Sequence, residues 1–287
     1  MTKIFLYSSQ LAAFIGRNSH TISSRIFNKL YEKYYEEQLI KMKRMDDLKS
    51  KNIGDSSLID IIGNKLENNK DLKIKLDNLC SKNVSSFVMK KETDDLVKKV
   101  LETEKLSDND KNLLLKAAEG YTNKTFGTIR ETNVVDVYRN KMGVDVVTKL
   151  QARYKKVLEY EGNELWLISK IDAMKMDGTV LEIKNRMYKL FEEVREYEWL
   201  QVQAYLEVYN LEQAELVEFL KIGEGEMKIN KIDRDRKYWE EIVINDLNKY
   251  FKAFIKIIGD SKKIKKYLDL SETEQNEMIK KLVRNSN

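Results

Sequence analysis

The stretch between residues 150 and 186 constrains the fold of this chain most, because it is typical of consecutive strands joined by tight turns. Its three runs are LQARYKKVLEY, ELWLISKIDAM and TVLEIKNR, and the connections between them contain Glu-Gly-Asn and Asp-Gly. Short runs of this kind, separated by glycine-containing turns, are characteristic of β-hairpins. The sequence therefore predicts an antiparallel meander over residues 150–186.

Helical periodicity surrounds this meander. Apolar residues recur at spacings of three and four over residues 1–45, and again over 127–142, where Gly143 is placed to end the helix. Further segments are predicted as helices at 197–210, 237–258 and 271–284, and as strands at 214–223 and 226–233. The mixture predicts an α/β (α+β) fold, with a central mixed β-sheet containing the antiparallel meander and helices on its flanks.

The chain divides into four parts on the same grounds. Residues 1–45 are predicted as the N-terminal helical part of the main domain, and 119–258 as its core. Residues 46–118 are more polar and break into short amphipathic pieces, which indicates a helical insertion or cap. Such a cap could equally be a packed helical subdomain without chemistry of its own. Residues 259–287 form a C-terminal helical extension.

Scarce residue types exclude several kinds of site. The chain has one cysteine, Cys80, one histidine, His20, and no proline. A disulfide, a multi-cysteine metal site and a paired-histidine site are therefore excluded within it, and Cys80 is expected to be a small buried or half-buried apolar residue. The lack of disulfides suits an intracellular location, and no apolar run reaches the roughly 18–20 residues of a membrane span. The net charge of +5 permits a polyanionic partner.

The third strand of the meander carries charge where it should be most apolar. Because side chains alternate along a strand, Glu182 and Lys184 point to the same face. The Asp-Gly turn brings Asp172 across the hairpin toward them. Burying such charges without compensation costs several kcal/mol. A divalent cation held by Asp172 and Glu182 would compensate, whereas a solvated sheet face with a surface Glu–Lys pair is the alternative.

Two predicted helices each carry a polar residue on an otherwise apolar face. Glu131 interrupts the apolar stripe of the 127–142 helix, and Gln201 lies on an apolar stripe one turn before Tyr205. Both anomalies are explained if the two helices pack against the sheet and direct Glu131 and Gln201 at the charged hairpin.

These residues form three ordered motifs, which are G-x3-E (Gly127, Glu131), D-x9-E-x-K (Asp172, Glu182, Lys184) and Q-x3-Y (Gln201, Tyr205). Together they resemble the PD-(D/E)xK nuclease superfamily, in particular the lambda-exonuclease / YqaJ-like viral recombinase group. The likeness covers about residues 120–235 and extends to the N-terminal SSQLAAFIGRNSH. It implies a restriction-endonuclease-like core.

The resemblance also implies roles at the matching positions. Asp172 and Glu182, with the Ile183 carbonyl, would hold a catalytic Mg²⁺, which Mn²⁺ could replace, and Glu131 would complete the site or bridge to a second ion. Lys184 would orient and activate the attacking water and stabilise charge on the phosphate. Gln201 would position Lys184 or a phosphate, and Tyr205 would support Gln201. Hard carboxylate oxygens suit these ions.

Contacts to DNA are expected from four further residues, which are Ser9, Gln10, Arg17 and Arg186. The chain departs from the family pattern in two places. Ile171 precedes Asp172 where proline is usual, and the arginine expected shortly upstream of Ser9 is absent, so that Arg17 or Arg25 would have to take its place.

The implied function is that of a Mg²⁺-dependent deoxyribonuclease, a 5′-to-3′ exonuclease acting on duplex DNA ends in recombination, repair or replication. The resemblance further implies a single-strand annealing protein as partner and a homo-oligomeric assembly. The lack of a long apolar run predicts no membrane association. An endonuclease of the restriction or junction-resolving kind, on the same core, is the nearest alternative. A DNA-binding module without activity is the next, and RNA stays open as a substrate because metal chemistry does not read the sugar.

Overall fold

The computed structural model describes most of the chain, with gaps mainly in its N-terminal half. The described residues are 2–41, 58, 61–63, 65–66, 68–82, 86–186, 189–220 and 225–285. For residues 36–41, 86–87, 124 and 126–133 the description covers the backbone only. The predicted insertion at 46–118 and the predicted strand at 214–223 therefore lie partly outside the described residues.

Two sheets are formed by the described strands. The first has the order β1-β4-β3, with β1 parallel to β4 and β3 antiparallel to it. The second has the order β2-β5-β6-β7-β8, in which only the β6–β7 pair is parallel. The strands are β1 (Thr2–Tyr7), β2 (Val146–Thr148), β3 (Arg153–Tyr160), β4 (Asn163–Ser169), β5 (Ala173–Lys175), β6 (Val180–Arg186), β7 (Gln213–Leu220) and β8 (Glu226–Asp233).

Helices pack around both sheets, which confirms the predicted mixed α/β class. They are α1 (Ser8–Phe14), α2 (Ser23–Lys41), α3 (Leu72–Ser81), α4 (Ser86–Thr103), α5 (Asp108–Met142), α6 (Glu196–Tyr209), α7 (Arg236–Tyr238), a π-helical segment (Trp239–Val243), α8 (Ile244–Ile258), α9 (Ser261–Asp269) and α10 (Glu272–Arg284). None of the helices in the described ranges combines the length and the apolar character needed to cross a membrane.

Strand β1 corrects the prediction that residues 1–45 are helical throughout. Ile4 and Leu6 are buried, while Lys3 and Tyr7 are exposed. This alternation has the period of a strand, and β1 pairs with β4 in unbroken register from Thr2 to Tyr7. Six residues are too few to distinguish the two periodicities in sequence, and the pairing with a distant strand decides the outcome.

The predicted meander is also corrected. Its middle run is two strands, because β4 ends at Ser169 in the first sheet and β5 begins at Ala173 in the second. Between them the buried Ile171 packs into the core, and the Tyr209 hydroxyl donates a hydrogen bond to the Ser169 carbonyl at 3.3 Å. The chain therefore passes from the first sheet to the second over residues 170–172, and Asp172 is the last residue of this connection.

Other predicted features are confirmed. Helix α5 ends at Gly143, whose φ of 64° is left-handed, and α6 begins one residue before the predicted start at 197. Helix α10 opens with the predicted capping box, in which Ser271 accepts from the Glu274 amide and the Glu274 carboxylate accepts from the Ser271 amide.

The helical cap has a hydrophobic core of its own. Helices α3 and α4 and the first half of α5 surround one apolar cluster, which includes Leu72, Leu76, Val97, Val100 and Leu114. Cys80 is buried in the neighbouring cluster, as predicted, and burial raises the pKa of its thiol to about 11. The second half of α5 leaves the cap, and its residues Val134, Val135 and Tyr138 pack on the second sheet. One helix of 35 residues thus spans both parts, and the predicted boundary at 118/119 falls inside it.

Glu207 on α6 ties the two sheets together. Its carboxylate accepts hydrogen bonds from Lys155 on β3 and, at 2.5 Å, from Arg234, which follows β8. Burial alone would raise the pKa of Glu207, but these two cations outweigh burial and hold it below the usual range. The two ion pairs of Glu207 therefore stabilise the folded chain at pH values above about 4.3, the pKa of a glutamate in the unfolded chain. This contribution is lost as the pH falls through the lower pKa that Glu207 has in the folded chain.

A Glu207→Gln variant is expected to unfold with a free energy lower by about 1–3 kcal/mol at neutral pH, and the difference should shrink on acidification. Urea denaturation at neutral and at acidic pH measures both effects. Glu212→Gln is the matched control, because Glu212 also approaches Arg234 but its side chain is 58% exposed, and its replacement should change stability little. Equal effects of the two variants would contradict the assignment.

Candidate active site

Asp172 lies opposite the E-x-K strand, as the hairpin pattern predicted. The Asp-Gly turn is present, with Gly178 at a φ of 88°, and Ala173 pairs with Leu181 across the hairpin. Asp172 precedes this pair, and its Oδ2 accepts a hydrogen bond of 2.8 Å from the Ile183 amide. The change of sheet at residues 170–172 thereby places a carboxylate against the backbone of β6.

Glu182 is the buried centre of a polar cluster, which also contains Asp172, Lys184, Gln201 and Tyr205. Its side chain is only 4% exposed, and its Oε1 accepts from Lys184 Nζ at 2.6 Å and from Gln201 Nε2 at 2.7 Å. Its second oxygen, Oε2, is buried and accepts no hydrogen bond from any residue that the structure describes. A buried carboxylate oxygen is normally paired, because the unpaired atom loses its hydration without a replacement.

Gln201 and Tyr205 hold this carboxylate from helix α6. Both are buried and one helical turn apart, and Gln201 Nε2 also lies 2.5 Å from the Tyr205 hydroxyl oxygen. Gln201 Oε1 in turn accepts from Lys184 Nζ at 3.4 Å. The predicted convergence of the Q-x3-Y helix on the charged hairpin is therefore present in the structure.

The electrostatics of the cluster keep Lys184 charged. Burial would lower the pKa of the Lys184 amine, but the negative charge of Glu182, aided by Asp172 and Glu198, outweighs it and raises this pKa. Burial also raises the pKa of Tyr205 well above its ordinary value, and the carboxylates of Glu182 and Asp172 raise it further. The site thus contains a fixed ammonium group and a neutral phenol at neutral pH.

The oxygen atoms present fit a small divalent cation. Mg²⁺ is commonly bound through one or two carboxylates, with water and substrate phosphate completing its shell. Asp172, Glu182 and the Ile183 carbonyl are hard oxygen donors of this kind, and Glu182 Oε2 is an acceptor without a partner in the described part of the chain. Among the described residues, no group of three or more His, Cys, Asp or Glu side chains forms a metal site.

Glu131, the predicted third carboxylate, cannot be placed from its side chain, which lies outside the described residues. Its backbone is in α5, one turn before the residues that pack on the second sheet. Tyr138 anchors this helix, since its hydroxyl donates to Glu215 Oε2 at 2.5 Å while Lys175 donates to Glu215 Oε1 at 3.0 Å. The metal-binding role of Glu131 stays a prediction.

The four residues expected to contact DNA lie in different settings. Ser9 is exposed, and Gln10 is half-buried with its Oε1 accepting from the Tyr7 amide. Arg17 donates to Asp246, Glu196 and the Tyr238 hydroxyl.

His20, the single histidine of the chain, contacts Arg195 and the ring of Tyr197.

Arg186 is the fourth, and it is engaged in a buried ion-pair cluster. Its guanidinium donates to both oxygens of Glu198 at 2.7 and 2.8 Å and to Glu218 Oε1 at 2.6 Å. Glu218 Oε2 accepts from the Phe191 amide, so the cluster also holds the loop before α6. We call Arg186, Glu198 and Glu218 the arginine cluster.

Sequence reasoning missed the arginine cluster, although one signal was available. Glu198, Gln201 and Tyr205 share the i, i+3, i+7 spacing of a single helix face. Extending the Q-x3-Y stripe backwards by one turn would have identified Glu198. Glu218 had no comparable signal, because it comes from β7 and meets Arg186 only through the parallel pairing of β6 with β7.

Comparison with known proteins gives similarity to solved structures only. No protein-family model and no curated protein sequence matches the chain. An alkaline exonuclease from Laribacter hongkongensis, LHK-Exo, is 13% identical with a TM-score of 0.39, over 64% of this chain and 87% of that one. LHK-Exo in complex with dAMP is 14% identical with a TM-score of 0.32, over 74% and 90% of the two chains.

The crystal structure of SSO0001 is also similar, at 15% identity and a TM-score of 0.38. The match covers 48% of this chain and 63% of SSO0001, less than two thirds of its length. The proposed function therefore rests on the geometry of the site and on the motifs.

Proposed function

We propose that the chain is a divalent-metal-dependent deoxyribonuclease, and that it degrades duplex DNA from its ends in the 5′-to-3′ direction. The observation that carries the proposal is the state of Glu182. One of its oxygens is buried without a hydrogen-bond donor in the described part of the chain, beside Asp172 and the charged Lys184. The motif resemblance supplies the exonuclease part of the proposal.

Each residue of the polar cluster has a separate role in the proposed phosphodiester hydrolysis. Asp172, Glu182 and the Ile183 carbonyl would hold Mg²⁺, which lowers the pKa of bound water and neutralises charge on the phosphate. Gln201 fixes the Glu182 carboxylate by donating to Oε1, so that Oε2 remains free for a cation. Preorganised groups of this kind need little rearrangement during the reaction.

Lys184 supplies a fixed positive charge. Its amine is held by Glu182 and Gln201, and its side chain is 24% exposed, so it can reach a substrate at the surface of the cluster. A protonated amine stabilises the negative charge that grows on the phosphate oxygens as the attacking oxygen approaches. We assign Lys184 this electrostatic role because its ammonium group lies 2.6 Å from Glu182, at the partly exposed edge of the site.

An endonuclease is the second candidate, and the engagement of the arginines favours it. Arg17 is hydrogen-bonded to two carboxylates, and Arg186 is enclosed in the arginine cluster with a side chain only 10% exposed. An exonuclease that grips a terminal phosphate needs an accessible cation near the site, whereas an endonuclease does not. The two candidates differ in whether a DNA end is required.

Incubation with two substrates tests the proposal. A 5′-phosphorylated linear duplex and a covalently closed circle are compared in the presence of Mg²⁺, of Mn²⁺ or of EDTA. We expect loss of the linear DNA only, and only with a divalent ion. Cutting of the circle would establish the endonuclease instead. Binding of DNA without cleavage in any divalent metal would overturn the enzyme and leave a DNA-binding module.

A further inference from the structure

The outer face of the first sheet carries an unusual set of side chains. Strand β1 contributes Lys3, Phe5 and Tyr7 to the face opposite the buried Ile4 and Leu6. In the β1–β4 register Phe5 pairs with Trp166 and Tyr7 with Ile168, and in the β3–β4 register Tyr154 pairs with Ile168. Paired residues share a face of the sheet. We call Phe5, Tyr7, Tyr154 and Trp166 the aromatic face.

The aromatic face is open to solvent at two of its four rings, those of Tyr7 and Tyr154, while Phe5 and Trp166 are half-buried. Tyr154 is 56% exposed and Tyr7 46% exposed, which is high for such large apolar side chains. The rings nevertheless hold each other in place, since the Phe5 centroid lies 6.0 Å from that of Tyr154 and 6.3 Å from that of Trp166. Contiguous exposed aromatic surface on a folded protein usually marks an interaction site.

Two lysines border the aromatic rings, and one of them, Lys3, lies opposite Glu164 in the β1–β4 register. Lys3 Nζ lies 5.1 Å from the Trp166 ring, and Lys33 Nζ, from α2, lies 5.7 Å from the ring of Tyr7. Neither lysine forms an ion pair within the described part of the chain. The carboxylates of this face, Glu159 and Glu164, are both hydrogen-bonded by Lys156. The face therefore offers aromatic planes and available positive charge together.

We propose that the aromatic face binds single-stranded nucleic acid. Unpaired bases stack on aromatic side chains while neighbouring lysines neutralise the phosphates, and a β-sheet surface is a common platform for this arrangement. A duplex does not suit the face, because its bases are already stacked inside the helix. A second copy of the chain suits it less, because interface cores are depleted of lysine.

The position of the face relates it to the candidate active site. The row formed by Tyr7, Ile168 and Tyr154 is the row nearest the end of β4, and Asp172 follows Ile168 by four residues, at most about 14 Å of chain. A strand bound on the aromatic face can therefore enter or leave the cluster at Asp172. This use of the bound strand rests on the proposed function, whereas the binding itself does not.

Equilibrium binding of a fluorescent oligothymidylate of roughly 16 nucleotides in EDTA tests the inference without cleavage. We expect Tyr154→Ala to weaken binding by about 5- to 30-fold and Tyr154→Phe to restore it, since phenylalanine keeps the ring. Lys3→Gln should reduce the slope of log affinity against log salt by about 0.7, the value for one phosphate contact of a single strand. Ile74→Ala is the control, because Ile74 is 62% exposed on the cap.

Each outcome decides the inference separately from the nuclease proposal. Weaker binding by Tyr154→Ala alone, with normal binding by the phenylalanine and Ile74 variants, would support the aromatic face even if no metal-dependent cleavage were found. Unchanged binding by both Tyr154→Ala and Lys3→Gln would overturn it even if cleavage were intact. Self-association in sedimentation experiments that Tyr154→Ala abolishes, without oligothymidylate binding, would also overturn it and identify a contact between copies.

Discussion

Replacement of Lys184 by methionine is expected to lower the rate of metal-dependent DNA cleavage by about 10²–10³-fold. That is the usual effect of removing one group that stabilises charge in a transition state. Methionine keeps the aliphatic volume and removes the ammonium group, which lies 2.6 Å from Glu182. The expected loss is in kcat, because the positive charge is needed most when negative charge grows on the phosphate.

Two further variants make this result specific. Lys189→Ala removes an exposed lysine from the segment before α6, and its activity should stay within a factor of about two of wild type. Glu182→Gln keeps the shape of the side chain but removes the carboxylate, so activity should fall strongly and the metal concentration needed for half of the residual activity should rise. A Lys184→Met variant that folds normally and cleaves at the wild-type rate would remove Lys184 from the mechanism.

Arg186→Met is expected to reduce the free energy of unfolding by about 3–5 kcal/mol, a large share of the stability of a typical domain. Glu198 and Glu218 have side chains only 3% and 0% exposed, and both depend on this guanidinium. Burial would lower the pKa of Arg186, but hydrogen bonds to the two carboxylates outweigh it and raise this pKa. Removing the cation leaves two buried carboxylates that repel each other. Urea denaturation measures the effect.

The arginine cluster also provides an internal test of that explanation. If buried unpaired charge causes the loss, combining Arg186→Met with Glu198→Gln and Glu218→Gln should recover much of the stability. Arg25→Met is the matched surface control, because Arg25 pairs with Glu272 while 53% exposed and should cost less than about 1 kcal/mol. A triple variant no more stable than Arg186→Met would show that packing, and not charge, explains the loss.

The hairpin and the α6 stripe were predictable from sequence because local spacing determines them. Alternation along β6 places Glu182 and Lys184 on one face whatever lies around the strand, and one helical turn separates Gln201 from Tyr205 in any helix. The Asp-Gly turn then pairs β5 with β6 and so places Asp172 opposite the strand that carries Glu182 and Lys184. These rules act over a few residues, so a single sequence suffices to apply them.

The remaining features depend on pairings between distant segments. Strand β1 exists because β4, about 160 residues later, accepts it as a parallel neighbour. The predicted middle strand is interrupted before Asp172 because its first half pairs with β1 and β3 in the first sheet and its second half pairs with β2 and β6 in the second. Arg186 meets Glu218 through the parallel β6–β7 ladder, which no local pattern reveals.

Helix α5 determines how this protein can be divided. At about 1.5 Å per residue its 35 residues extend for about 52 Å, from the hydrophobic core of the cap to the second sheet. A truncated protein beginning at residue 119 would cut the helix and discard Leu114, Ala117 and Ala118 from the cap core, while leaving Tyr121 without its neighbours. The cap and the second sheet therefore share one secondary-structure element. The first sheet needs β1, which precedes the cap in the chain, so no single cut separates the cap from the rest of the protein.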